Sequence, residues 1–360
     1  MALPSRDEIV GHFREQAGFC RALGSPFMDA LCRAMAADIE AGGPVARLVR
    51  GWPGHPRRDA LSLRIAGYLH YSALGRHAPE LTAVYPATNP GWTMDEVWPV
   101  ARDWLSRHER AARIFMKSPP QTNETRRAIA LLPGFLKAVG QFPGPVHLLE
   151  LGASAGLNQN WDRFNYHTPR WELTGRSDVT IETNWDGPPP DHLDMTINVV
   201  SRAACDQSPI DLSKASSARR LKSYVWPDQP ERLTRLDAAI ALARRTRTRV
   251  DQADAAEWLK AKLESRPEEG LSLIFHSVFL QYPPAETRKA LREMIAEAGA
   301  AASWDRPLAW VCFEPGAFFQ GPDTAGGDPN SFITYVKLWP GEEEYRLLRS
   351  DGHVLKVEPA

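Results

Sequence analysis

The 360-residue chain has almost no excess of charge: 43 Lys and Arg stand against 44 Asp and Glu, a formal net charge of −1. That balance leaves no electrostatic footprint for nucleic acid or an anionic membrane, so neither is expected as a partner. Cysteine is scarce. The four, Cys20, Cys32, Cys205 and Cys312, lie far apart and form no CxxC, so the simplest expectation is a reduced, cytoplasmic protein. The ten histidines are dispersed without an HxxxH, and no metal centre is expected. No apolar run approaches the length of a membrane span, and the opening MALPSRDEIV has no apolar signal core. Thirty prolines and twelve tryptophans are many, yet they form neither a low-complexity tract nor a repeat.

What is present divides at about residue 118. Before it, RDEIVGHFREQAGFCRAL, PFMDALCRAMAADIEAGGP, RDALSLRIAGYLHYSAL and TMDEVWPVARDWLSRHERAARIF carry apolar residues at helical spacing, and nothing alternates at period two. Residues 1–117 are therefore expected to form a helical domain. From Val146 the pattern becomes short apolar runs separated by helical segments: VHLLEL, TINVVS, TRVDQ, LSLIFHSV and PLAWVCFEP. That alternation predicts an α/β domain over 118–360 with a mostly parallel, Rossmann-like sheet. FITYVKLWP and HVLKVEP are expected to form a terminal antiparallel pair. RWELTGRSDVTIETNWDGPPP reads as a hairpin and proline loop inserted after the first strand.

The stretch VHLLELGASAGLNQN is the most informative. A buried strand ends in Glu150, and small residues follow at Gly152, Ser154 and Gly156 before a helix start. A dinucleotide fingerprint, G-x-G-x-x-G, would need its third glycine at 157, where Leu157 stands, which weighs against NAD. The acid followed by small residues at every second position resembles the first motif of class I S-adenosylmethionine-dependent methyltransferases. Ser154 departs from that motif, since a Cβ at this point loses freedom at positive φ. G-x-S-x-G also fits a nucleophile elbow, the serine-hydrolase alternative, although Glu150 would set a charge beside it.

The methyltransferase resemblance implies acids at later strand ends. Asp206 in RAACDQSPIDL answers for the ribose hydroxyls, and Asp254 in TRVDQADAAEWL for the adenine side. Asp254 is also expected to cap a helix, with Glu257 three residues on. His276, in LIFHSVFLQYPP, stands at the fourth strand end. It is a candidate general base, or a histidine ending a buried strand that only satisfies a backbone carbonyl. No NPPY-type box is present there, which disfavours amine or base methylation.

Other segments have plain local readings. Ser118, Pro119 and Gln121 spell a capping box, while Asn123 and Glu124 stay without a role. Asp228 with Glu231 reads as a second helix start, Tyr282 as packing, and RRTRTR at 244–249 as a helix end. EPGAFFQGPDTAGGDPNSF is too rich in Gly, Pro and Asp for a helix and is expected to be a loop or lid.

Together, ELGASAGLNQNWDRFNY, PQTNETRRA, RAACDQSPIDL, SYVWPDQPERL, FHSVFLQY and VKLWPG resemble the bacterial family called domain of unknown function 2332 over nearly the whole chain. That resemblance implies a methyltransferase-like fold, with Glu150, Gly152, Ser154, Gly156 and Asp254 on the cofactor side. The expectation is an S-adenosylmethionine-dependent enzyme acting on a small molecule. The rival is a non-catalytic ligand-binding protein on the same fold.

Overall fold

The structure is a computed structural model that describes residues 3–319 and 331–360. The first helices are α1 (Arg6–Ala22), α2 (Pro26–Glu40), α3 (Pro44–Val49) and α4 (Leu61–Ala73). They continue with α5 (Pro79–Val84), α6 (Met94–Arg107), α7 (Glu109–Met116) and α8 (Arg127–Gln141). Strands then appear: β1 (Pro145–Leu151), β2 (Asn165–His167), β3 (Glu172–Leu173), β4 (Thr180–Glu182), β5 (Asn184–Trp185) and β6 (Asn198–Asp206). Helices α9 (Ala215–Lys222) and α10 (Pro230–Arg245) lead to β7 (Asp251–Gln252), α11 (Ala255–Glu264) and β8 (Leu271–Ser277). The chain ends with α12 (Ala285–Ala300), β9 (Leu308–Pro315), β10 (Phe332–Trp339), β11 (Glu343–Ser350) and β12 (Lys356–Pro359). No helix of the described residues is long and apolar enough to cross a membrane.

Two compact units result: Met1–Thr122 with Ser213–Thr234, and Asn123–Leu212 with Arg235–Ala360. The first is all helical, as the 3.6-residue periodicity dictates. Phe13, Phe27, Leu31, Met35, Leu61, Leu69 and Leu105 are buried in its core. Its buried charges are matched locally. Asp38 accepts from Val45 N at 2.8 Å and Arg102 Nε at 2.7 Å, capping α3. Arg64 and Arg220 donate to the carbonyls of Met116 and Phe115 at the end of α7, where cations suit the helix dipole. Asp228 does not start α10, which begins at Pro230. Its carboxylate instead receives Ser25 Oγ at 2.6 Å and Phe27 N at 2.9 Å, closing the start of α2.

The second unit is built on a nine-stranded, mostly parallel sheet in the order β5-β12-β11-β10-β9-β8-β1-β6-β7. Strands β7, β6, β1, β8 and β9 all pair in parallel. Counted along the chain, those five lie in the order 3-2-1-4-5, so the direction of winding reverses beside β1. Helices cover both faces. Leu308, Trp310 and Cys312 of β9 share a core with Leu291 and Ile295 of α12 and with Trp258 of α11. On the other face Gly134 lets α8 lie against Val311 and Val336, where a Cβ would collide.

Four expectations need correction. β10 and β12 are not partners: β11 runs between them, antiparallel to both. The insert after the first strand is a separate three-stranded sheet, β3-β2-β4, in which β2 pairs antiparallel with β3 and parallel with β4. No helix starts at Pro119, because the chain stays irregular until α8. Tyr282 is also no packing residue, being 75% exposed. Residues 316–319 form one turn of 3-10 helix, and the rest of the expected lid, 320–330, lies outside the described residues.

Candidate functional site

β1 carries Leu149 and Leu151 into the core shared with α11 and α12, so pleating sends Glu150 to the opposite face. The turn that follows explains the spacing of its small residues. Gly152, Ser154 and Gly156 have φ of 65°, 55° and 71°, so every second residue is left-handed. Glycine is required twice over at its two ends. A Cβ on Gly152 would run into the Phe279 ring, and one on Gly156 into Gln159, Val250 and Thr248. Ser154 bears the steric cost of positive φ in full. The turn is pinned by Ala153 N to Cys205 O at 3.0 Å, Gly156 N to Ala153 O at 2.8 Å and Ile210 N to Ser154 O at 3.0 Å.

The acids take different positions around it. Asp206, the last residue of β6, accepts Ser154 N at 2.8 Å on Oδ2 and Ser208 N at 2.8 Å on Oδ1. It therefore braces the turn directly. Asp254 caps α11, its Oδ1 accepting Ala256 N and Glu257 N at 2.9 and 3.3 Å, while Oδ2 takes no part in the cap. Glu150 is 4% exposed, and its Oε2 has no hydrogen-bond partner. Burial, and then the nearby charge of Asp206, push its pKa well above the usual carboxylate range. Among the described residues, none of Glu150, Asp206, Asp251, Asp254 and Glu314 forms an ion pair with Lys or Arg. No group of three metal-ligating side chains occurs among them.

The turn and the segment after it hold further buried polar atoms without partners: Ser154 Oγ, Asn158 Oδ1, Asn160 Oδ1 and Trp161 Nε1. With Glu150 Oε2 they fall within one short stretch of chain. Native proteins rarely leave such atoms unsatisfied, so each calls for a water, ion or ligand as its partner. The side-chain amide NH2 groups of this segment are all used. Asn158 reaches Glu124 O at 3.4 Å, Gln159 reaches Arg249 O at 3.1 Å and Asn160 reaches Thr248 Oγ1 at 2.9 Å. Asn123 and Glu124, which had no role on sequence grounds, belong here. Asn123 Oδ1 accepts Leu157 N at 2.9 Å, satisfying the first amide of the 3-10 helix Leu157–Arg163. Glu124, 8% exposed, pairs with buried Arg235 at 3.1 Å. The available sequence signal was the unexplained polar pair itself, in a segment whose local cap reading covered only its first half.

His276 does not suit the role of general base. It is 1% exposed, and both ring nitrogens are engaged. Trp310 Nε1–H donates to Nε2 at 3.0 Å, which leaves the proton on Nδ1 for Glu314 Oε1 at 2.7 Å. No lone pair is offered to a substrate. The same arrangement leaves Ser154 without a base, as its Oγ has no partner, so the elbow reading loses its second member. Glu314, fully buried, also accepts Phe279 N at 2.7 Å and Leu280 N at 3.3 Å. The sequence reasoning passed over Glu314.

One family model, DUF2332, described as an uncharacterized protein conserved in bacteria, matches residues 11–358. The chain belongs to this family. No curated protein and no solved structure matches it.

Proposed function

We propose that the chain binds S-adenosylmethionine at the 152–156 turn and transfers its methyl group to a small molecule, as a Rossmann-like methyltransferase. The observation that carries this reading is Glu150, a buried carboxyl without a partner, directly ahead of a turn that is left-handed at every second residue. A carboxyl desolvated in this way is costly unless a cation meets it. The cofactor is cationic at sulfur and at its amino group, which suits acids that pair with no Lys or Arg; a pyrophosphate would be repelled there.

The residues fit the group in kind. Glu150 would meet its positive charge. Asp206 keeps lone pairs on both oxygens for ribose hydroxyls, and Asp254 has Oδ2 for the adenine amine. The bound cofactor would supply an electrophilic methyl group on sulfur. The chain's own contribution is alignment: the turn is pinned to β6 by Asp206 and to Asn123 through Leu157, so it needs little reorganisation on binding.

Ligand binding without methyl transfer is favoured by one observation, the engagement of both His276 nitrogens. Calorimetric titration with S-adenosylmethionine tests the shared part of both readings. The native chain is expected to bind, and Glu150→Gln to bind at least tenfold more weakly. No heat and no thermal shift at millimolar ligand would overturn both. Methyl-labelled cofactor incubated with a bacterial small-molecule extract then separates them, since bound cofactor with no label transferred supports the second.

A further inference from the structure

We infer that Glu314 is a positioning residue of the turn crevice: through backbone N–H bonds it fixes Phe279 against Gly152, while His276 holds its carboxylate in place. This rests on the turn being the ligand site. Three observations support it. The Phe279 ring occupies the space that a side chain on Gly152 would take, so that ring forms one wall beside the turn. The loop carrying it is not locally stable, because Val278, a β-branched residue, sits at φ 53°. Its restraints come from β9: Phe313 O accepts Val278 N at 2.9 Å, and Glu314 accepts Phe279 N and Leu280 N.

An apolar pair could replace a simple buried His–Glu pair, but here it would strand the Phe279 and Leu280 amides. What the carboxylate adds is three convergent acceptor bonds, from His276 Nδ1, Phe279 N and Leu280 N. Trp310 completes the set. By occupying His276 Nε2 it fixes the tautomer, so the Nδ1 proton points at Glu314. An amide in place of the carboxylate keeps the shape but sets an NH2 against an N–H donor.

The test compares the native chain with Glu314→Gln and Phe279→Ala. Phe279 is only half-buried at the edge of the core, so its truncation removes no fully buried side chain. The probe is S-adenosylhomocysteine by calorimetry, with amide NMR as a second readout. In Glu314→Gln the downfield Phe279 amide proton is expected to move upfield, and the Gly152 amide to shift with it. Affinity is expected to fall about tenfold or more in both variants, the size of one lost charge-assisted bond. A purely structural role would lower the melting temperature and leave affinity unmoved. The inference is overturned if Gly152 stays put while Phe279 shifts, or if the native chain binds and both variants bind within twofold of it. If the native chain does not bind, the cofactor reading falls, and the Gly152 shift alone decides the role of Glu314.

Discussion

Asp38 and Glu150 are both buried carboxyls, one in each unit, and their surroundings are opposite. Asp38 has Arg102 and the Val45 amide. Glu150 has no hydrogen bond on Oε2, only the repulsion of Asp206. In the helical unit the atoms without partners, Tyr85 Oη, Trp104 Nε1 and Arg219 Nε, are scattered, whereas around the 152–156 turn five of them fall within residues 150–161. A buried charge that is matched serves the fold. The carboxyl left unmatched beside a strained turn is the one proposed to meet a ligand, and the contrast can be tested by breaking either side.

The largest effect expected is of pH. Burial lowers His12 and His70 in the helical unit to about 4 each. Both are neutral when folded and protonate more readily when unfolded, so the stability they contribute is present above pH 6.5 and is lost as pH falls toward 4. That is about 3 kcal/mol for each histidine. Urea unfolding from pH 8 to 4 should show this fall, and His70→Gln should remove roughly half of it. A flat profile in the native chain would contradict the burial argument.

Next in size, Asp38→Ala should cost about 3 kcal/mol, since it strands the Val45 amide and frees Arg102. Glu150→Gln should do the reverse. A carboxyl whose pKa is raised on folding stabilises below its unfolded pKa and loses that as pH rises, so at pH 8 the variant should be at least as stable as native. The gap should close toward pH 4.5, with a slope of at most ~1.4 kcal/mol per pH unit. Equal losses in the two variants would erase the contrast. Smallest, Ser154→Gly should gain up to about 1 kcal/mol in denaturant by relieving a φ of 55°, without loss of ligand affinity. A loss of stability there would mean that the hydroxyl does more than tolerate the turn.

Where the pattern was local, the sequence was legible. The helices α1, α2, α4 and α6 follow from apolar spacing. The left-handed alternation at 152, 154 and 156 was foreshadowed by its small residues. The helices α3 and α5 are only six residues long, too short to show a period. β11 was missed because half of its residues are charged and half are exposed, so no apolar run marks it. The cap expected at Ser118 obeyed every local rule and still did not form. Asp228 looked like the cap of the helix after it and instead caps one 203 residues earlier, at Ser25.

The chain's sequence alone determined that helices would precede a wound sheet, and that its first strand would end in an acid and a turn of small residues. Periodicity and steric freedom are properties of neighbouring residues, so they can be read along the chain. Only the tertiary structure decided what each polar group does. His276 and Glu314 meet because β8 and β9 pair in one register, and Glu150 is left alone because burial takes away water while no cation arrives. Hydrogen-bond partners and dielectric are set by what folds against a residue, and no spacing in the sequence encodes them.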